Sequence, residues 1–277
     1  MTPLVVALIL TAALLHATWN AILRSGADRL WSITVMGAVG LLVALPFAIG
    51  LPHPAPASWL YIALSAVLQT GYSLFLVRAY RDGHLTHVYP IARGAAPLLV
   101  TLGAAAFAGE HLARIGLLGI MLVSGGILTL AMGRSRPDAR STMAALATGV
   151  FIASYMVTDG MGVRLSGHAI GYAAWQAVAQ GGALVLTYVA LRRRAPALPR
   201  GRPGADVLIA SVLGLIGYSV VIWAMDHDAM GKVSALRETS ILFAAVIGAM
   251  FLREPITVRK IVGAAAIACG AICLSMA

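Results

Sequence analysis

The fold is decided by a stretch that occurs twice: RGAAPLLVTLGAAAFAGE at residues 93–110 and RETSILFAAVIGAMFLRE at residues 237–254. In each copy an arginine opens an apolar segment and a glutamate follows at the same distance. An arginine at membrane depth is energetically costly and commonly marks a substrate path. Its recurrence at an offset of 144 residues predicts two copies of one unit, as in many transporters.

The composition indicates a membrane protein. Apolar residues make up 60% of the chain, charged residues 11%, and the mean hydropathy is +0.89. A soluble domain carries about a quarter charged residues, whereas a membrane helix needs roughly 20 consecutive apolar ones. Ten such segments are predicted, at residues 3–23, 31–50, 58–77, 86–107, 114–133, 142–160, 168–191, 206–225, 231–252 and 258–276.

The basic residues are distributed unevenly between the loops. Fifteen Lys and Arg follow the odd-numbered segments and three follow the even-numbered ones. This asymmetry predicts that the odd loops lie in the cytoplasm and that both termini lie outside it, in a multi-pass protein of the inner membrane. The net charge of +10 is therefore interpreted as a preference for anionic lipid, with the bilayer as a partner and no nucleic acid.

Five segments per copy is an odd number, so the second copy enters the membrane inverted. The sequence predicts an all-α, polytopic membrane protein with ten transmembrane helices in two inverted five-helix repeats. The first repeat is assigned to residues 1–133, a linker to 134–141 and the second repeat to 142–277.

Several short motifs are typical of one transporter family. They are HATWN at 16–20, YPIAR at 89–93, SY at 154–155 with DG at 159–160, and RETS at 237–240. With these motifs the chain resembles the EamA-like, ten-helix members of the drug/metabolite transporter superfamily. The resemblance implies a central cavity lined by helices 1, 3, 4, 6, 8 and 9, with helices 5 and 10 packed behind it.

Polar and aromatic residues inside the apolar segments are the candidates for substrate binding. The planar guanidinium of arginine suits carboxylates and phosphates, and aromatic rings suit the apolar part of a metabolite. Structural ion pairs, helix–helix hydrogen bonds and interfacial aromatics are the alternatives. The candidates are His16, Trp19, Asn20, Tyr72, Tyr89, Arg93, Tyr155, Trp175, Tyr218, Arg237, Glu238 and Ser240.

Two of these candidates can change charge and are predicted to couple transport to protons. Histidine is the residue type whose charge ordinarily changes near neutral pH, and His16 shares a helix face with Asn20. Glu238 is the carboxylate that the predicted boundaries place well inside a segment, and a buried carboxylate can carry a proton. A pair with Arg93 or Arg237 would instead keep Glu238 ionised, and both interpretations stay open.

Other residues have structural interpretations. Pro90 and Pro97 favour a kinked or locally unwound helix 4. Glu110 and Glu254 follow helices and are expected to cap backbone amides. Asp226 and Asp228 lie in a predicted outer loop and are expected to be solvated.

Enzyme motifs are missing from the sequence. It contains no Gly-rich phosphate loop, no Gly-x-Ser-x-Gly and no His-Glu-x-x-His, and Cys269 with Cys273 supplies too few ligands for a metal. No catalytic residue, cofactor or metal site is expected.

A secondary transporter is therefore predicted, and the resemblance favours export. Its expected substrate is a small polar or amphipathic metabolite with an acidic group, such as an amino acid or organic acid. Transport is expected to proceed by alternating access, with or without coupling to protons. The alternatives are a lipophilic-cation exporter and a lipid-head-group flippase or non-transporting membrane partner. A monomer and a homodimer are both compatible with the sequence.

Overall fold

The computed structural model describes residues 1–23, 28–81, 85–131, 139–197, 200–252 and 257–277, and within these it contains helices and no strand. A short 3-10 helix lies at Pro56–Ser58. The α-helices are α1 Pro3–Ile22, α2 Arg29–Gly50, α3 Trp59–Arg81, α4 Leu85–Ala108, α5 Arg114–Ala131, α6 Ala139–Ser166, α7 Ala169–Arg192, α8 Gly201–His227, α9 Met230–Arg237, α10 Ser240–Leu252 and α11 Val258–Met276.

The outside of the helix bundle is apolar. Eight spans within the described residues are long and apolar enough to cross a membrane by length and composition. Large apolar side chains such as Leu60, Phe107 and Leu186 are more than 70% exposed on the bundle, as a surface in contact with lipid requires. The predicted all-α polytopic membrane fold is confirmed.

The helices pack in pairs that follow the sequence repeat. The most extensive helix pairs are α5 with α11, α2 with α7, α4 with α6, α1 with α8 and α3 with α6. In the predicted repeat α1 corresponds to α6, α2 to α7, α3 to α8 and α5 to α11. The pair α1–α8 is therefore equivalent to the pair α6–α3, and the pairs α2–α7 and α5–α11 are each equivalent to themselves. This pattern is the one expected of a two-fold repeat.

Glycines allow α5 and α11 to pack closely, as predicted for helices 5 and 10. A Cβ atom on Gly119 would lie 2.9 Å from the carbonyl oxygen of Gly270, and one on Gly126 would lie 2.7 Å from that of Gly263. Neither position has room for a side chain, which is how small residues let two membrane helices approach each other.

The interruption of a helix falls in the ninth predicted segment and not in the fourth. The ninth segment forms two helices, α9 and α10, joined by a tight turn in which the Thr239 amide and hydroxyl both donate to the Leu236 carbonyl, at 3.1 and 2.7 Å. Helix α4 is continuous through Pro90 and Pro97. Of the predicted kink or local unwinding, the unwinding is wrong, because each proline removes only one donor and packing against α6 holds the rest of the helix.

The two ends of the bundle differ in charge. We call the end that carries Arg29, Arg192 and Arg200 the basic end; there the Arg192 guanidinium lies 3.3 Å from Asp28 at the start of α2. At the opposite end the N-terminal amine of Met1 lies 3.9 Å from an Asp228 carboxylate oxygen. Ala277 also lies there, in contact with the first turn of α5. Both termini are therefore at the opposite end.

Candidate functional site

A cavity of about 570 Å³ lies in the middle of the bundle. It extends toward the basic end as far as Leu23, Arg29 and Val77. Its wall is formed by α1, α3, α4, α6, α8 and α9, the helices that the family resemblance implied. Helices α2 and α7 also contribute to it, which the resemblance did not imply. Of the residues predicted from sequence, those that line it are His16, Trp19, Asn20, Tyr72, Arg93, Tyr155, Tyr218 and Arg237.

Glu238, Ser240 and Trp175 do not line the cavity. Glu238 and Ser240 are buried behind Arg93. Trp175 lies near the start of α7, where its indole packs at 5.0 Å against that of Trp59. The side chain of Tyr89 lies outside the described part of the chain.

Arg93 on α4 is neutralised within the protein. Its Nε lies 2.8 Å from Glu238 Oε2, and its Nη2 donates to Ser240 Oγ at 3.2 Å. Both partners stand at the turn between α9 and α10, so the helix interruption places a carboxylate and a hydroxyl against the arginine. Arg93 and Glu238 are 3% and 0% exposed, so this ion pair is screened little by solvent.

Arg237 at the end of α9 has a different environment. Its guanidinium lies 5.4 Å from the centre of the Tyr218 ring and its Nη1 lies 3.8 Å from the Met156 sulfur. No carboxylate in the described residues lies within 4.0 Å of it, although the side chain is only 8% exposed. A cation over an aromatic face is attracted to it but keeps its net charge.

The α1 wall contributes a histidine beside a tryptophan. The His16 ring meets the edge of Trp19 with ring centroids 5.0 Å apart, and the Asn20 side-chain amide donates to the His16 carbonyl at 2.8 Å. The Asn20 donor is thus engaged within its own helix, whereas the His16 ring faces the cavity.

Sequence reasoning missed a buried carboxylate, Asp159. It accepts hydrogen bonds from Gln69 Nε2 at 3.2 Å, from the Tyr172 hydroxyl at 3.1 Å and from the Tyr218 hydroxyl at 2.5 Å, and it is 0% exposed. The sixth predicted segment ends at residue 160, which places Asp159 at a membrane boundary. Helix α6 instead continues to Ser166, and the apolar residues after 160 were the available signal.

An amide on α7 lines the cavity without an acceptor. Gln176 is 1% exposed, and its Nε2 meets no hydrogen-bond partner in the part of the chain that the structure describes. A buried donor without an acceptor is costly, so this amide is a group that a bound ligand could satisfy.

Ion pairs close the opposite end of the bundle. Arg164 at the end of α6 pairs with Glu110 through Nη2, and donates to the carbonyls of Met225 and Asp228 at 3.0 and 2.9 Å. The Met230 amide, at the start of α9, donates to Glu110 at 3.0 Å. Glu110 therefore caps a helix as predicted, although the helix belongs to the other half of the chain. We call Arg164, Glu110 and the carbonyls of Met225 and Asp228 the closing cluster.

The prediction for Asp228 is wrong. Its carboxylate accepts from the Ala229 amide at 2.8 Å and lies 3.0 Å from Lys232 Nζ. The carboxylate reaches these partners because the connection between α8 and α9 is short. Glu254 lies outside the described residues.

Residues 140–276 match the EamA-like transporter family. Among solved structures 28 chains match the fold. One of them, described only as a crystal structure of a protein, superposes with a TM-score of 0.77 at 19% identity and covers 100% of this chain and 98% of its own. At that identity the likeness shows the fold alone. None of the curated proteins is similar enough in sequence to match.

Proposed function

Because the chain carries a domain of the EamA-like transporter family, within the drug/metabolite transporter superfamily, we propose that it moves a small acidic metabolite through the central cavity by alternating access. The substrate class is an amino acid or organic acid with an apolar part. The direction that we propose is export across the inner membrane.

The observation that carries this proposal is the uncompensated charge of Arg237. The Arg93 charge is cancelled by Glu238 at 2.8 Å, whereas Arg237 faces the cavity with a tyrosine ring and a sulfur beside it. A carboxylate that enters the cavity would supply the missing counter-charge, and a guanidinium binds carboxylates through two parallel hydrogen bonds.

The remainder of the wall suits the apolar part of such a substrate. Tyr155 lies between Tyr72 and Tyr218, with ring centroids 5.8 and 6.2 Å apart. Gln176 adds an unused amide donor. Ligand pockets commonly combine apolar and aromatic walls with a few such polar groups.

The shape of the cavity supports loading from the basic end. The cavity extends to Arg29 at that end, while the closing cluster joins the helices at the other. The positive-inside rule assigns the basic end to the cytoplasm, so this conformation would admit a cytoplasmic substrate. We assign residues 1–133 and 142–277 as two inverted repeats. Such repeats move against each other in alternating access, and this movement would open the cavity at the opposite end.

A ligand-stabilisation screen of the purified protein tests the substrate class. The ligands are amino acids, organic acids, phosphonates and cationic dyes, and the readout is the melting temperature. We expect carboxylates with an apolar part to raise it, because a ligand at about 100 times its Kd stabilises by about 2.7 kcal/mol. Stabilisation by cationic dyes alone would overturn the proposal and favour the lipophilic-cation exporter.

Flux into liposomes tests the direction. The protein is reconstituted in vesicles with the stabilising acid on one side of the membrane only, and one orientation is blocked with an impermeant reagent. We expect a faster initial rate when the acid starts on the side of the basic end than when it starts on the opposite side. Proton coupling through His16 or Glu238 stays a prediction, which the same vesicles test with a pH indicator.

A further inference from the structure

A carboxylate buried behind the cavity wall has no cation beside it. Asp159 lies in the middle of the bundle at 0% exposure, and no Lys or Arg side chain in the described residues lies within 4.0 Å of it. An isolated charge in such a place is strongly disfavoured, and a buried carboxylate in a membrane protein commonly serves transport.

The partners of Asp159 can stabilise it with and without a proton. Gln69, Tyr172 and Tyr218 all donate to the ionised carboxylate, from α3, α7 and α8. When the carboxyl carries a proton, it needs an acceptor instead. The Gln69 amide can present its oxygen after a flip, and a tyrosine hydroxyl can rotate and accept. The site therefore holds two protonation states with the same residues.

Tyr218 connects this carboxyl to the cavity. Its hydroxyl donates to Asp159 Oδ2 at 2.5 Å, and its ring lies 5.4 Å from the Arg237 guanidinium. Tyr218 and Gln69 line the cavity, whereas Asp159 lies directly behind them. One side chain thus contacts both the buried acid and the unpaired arginine.

We propose that Asp159 is a proton-binding site coupled, through Tyr218, to the anion site at Arg237. The inference rests on the proposed function. An ionised Asp159 offsets part of the positive potential at Arg237, and protonation removes that offset. An anionic substrate therefore binds more tightly to the protonated protein, and its binding takes up a proton. Substrate and proton then move together, and one cycle carries the neutral acid.

Other titratable and charged groups surround Asp159. Tyr61 on α3 and Tyr172 on α7 meet at Gly162, where a Cβ atom would contact both side chains. Tyr218 faces it from α8, with Arg237 of α9 beyond that ring. Its own helix carries Tyr155, which lies against Tyr218, and Arg164, which faces the closing cluster.

Infrared spectroscopy tests the proton site without any substrate. Spectra of the purified protein are recorded over a pH series in H2O and D2O. We expect a carboxylic C=O band that titrates, shifts in D2O and disappears in Asp159→Asn, while Asp226→Asn, which changes an exposed carboxylate, keeps it. A titration that is unchanged in Asp159→Asn overturns the proposal. If Asp159→Asn does not fold, Tyr172→Phe should change the frequency of the band, because that hydroxyl bonds the same carboxyl; an unchanged frequency also overturns it.

Benzoate, a carboxylate with one apolar ring, tests the coupling. At pH values where benzoate is ionised, its Kd for the wild type should rise with pH, by up to about tenfold per pH unit for one linked proton. Asp159→Asn should bind with a Kd that no longer depends on pH, and Asp226→Asn, which changes an exposed carboxylate, should keep the dependence. A dependence that persists in Asp159→Asn overturns the coupling. Absence of benzoate binding to the wild type counts against the proposed anion site, while the infrared result still decides the proton site.

Discussion

Arg93 and Glu238 form a buried ion pair between the two predicted repeats, with Nε and Oε2 2.8 Å apart. The corresponding arginine of the second repeat, Arg237, has no such partner among the described residues, although both arginines line the cavity. Two residues that are equivalent in sequence therefore have different roles. One arginine joins the halves, and the other leaves a positive charge in the cavity.

Removing one member of the ion pair should destabilise the protein. Glu238→Gln leaves the Arg93 charge buried without compensation, which costs about 3–5 kcal/mol in comparable pairs. The double variant Arg93→Gln with Glu238→Gln removes both charges and should lose less stability than the sum of the single variants. Thermal unfolding in detergent measures all three. Additive losses would mean that the two side chains do not interact.

Arg237 should instead be needed for binding. Arg237→Gln is expected to weaken binding of the acid that stabilises the wild type by more than tenfold, about 1.4 kcal/mol or more, with little change in melting temperature. Arg237→Lys should restore only part of the affinity, because an ammonium lacks the bidentate geometry. Arg259→Gln removes the same charge from an exposed position on α11 and is the matched control. Equal weakening in both variants would indicate a general charge effect.

The contact between α5 and α11 gives a prediction in which the neighbouring Gly125 is the control for Gly126. In Gly126→Ala the new methyl group would lie 2.7 Å from the Gly263 carbonyl oxygen, whereas Gly125 has nothing within 4 Å. Gly126→Ala should lower the stability by about 1–3 kcal/mol through overpacking. Gly125→Ala should stabilise by up to about 1 kcal/mol through helix propensity. If the melting temperatures of Gly126→Ala and Gly125→Ala change alike, α5 and α11 can move apart without loss of stability.

The sequence predicted the membrane helices because their signal is strong and local. Runs of apolar residues and the repeated arginine identified the segments. The interruption at Thr239 could not be predicted in this way. It contains neither proline nor glycine and depends on where Arg93, from the other half of the chain, holds Glu238.

The candidate site was predicted only in part for a similar reason. His16, Arg93 and Arg237 stand out as polar residues in apolar segments. Asp159 was recognised only as part of a family motif and not as a site residue, because an aspartate followed by a glycine resembles a helix end. Its burial depends on Tyr172 and Tyr218, which reach it from two other helices, and no local pattern reports such contacts.

Both termini are predicted to lie outside the cytoplasm. Alkaline phosphatase, which is active only outside the cytoplasm, should be active when fused after Ala277 and inactive when fused after Arg194 at the basic end. The expectation follows from the loop charges and from the position of both termini at the opposite end of the bundle. The reverse pair of activities would invert the assignment and, with it, the proposed direction of loading.

The closing cluster should control the opening of the opposite end. Arg164 joins α6 to Glu110 and to the two carbonyls before α9. Alternating access requires these contacts to break, so Arg164→Gln should favour the conformation that is open there. Because Arg164 is about one-third exposed, its side chain being 32% accessible, we expect an effect of about 1 kcal/mol, roughly fivefold in population.

Labelling of an introduced cysteine measures this shift. Met230 is fully buried beside Glu110, so Met230→Cys, in a background with Cys269→Ser and Cys273→Ser, should react slowly with an impermeant maleimide. Arg164→Gln should accelerate the reaction about fivefold, in line with the expected population. Arg114→Gln removes an exposed arginine from the same end of the bundle and should leave the rate unchanged. A rate that rises equally in Arg164→Gln and Arg114→Gln would assign the effect to the charge at the opposite end. An unchanged rate in Arg164→Gln would mean that other contacts keep the opposite end closed.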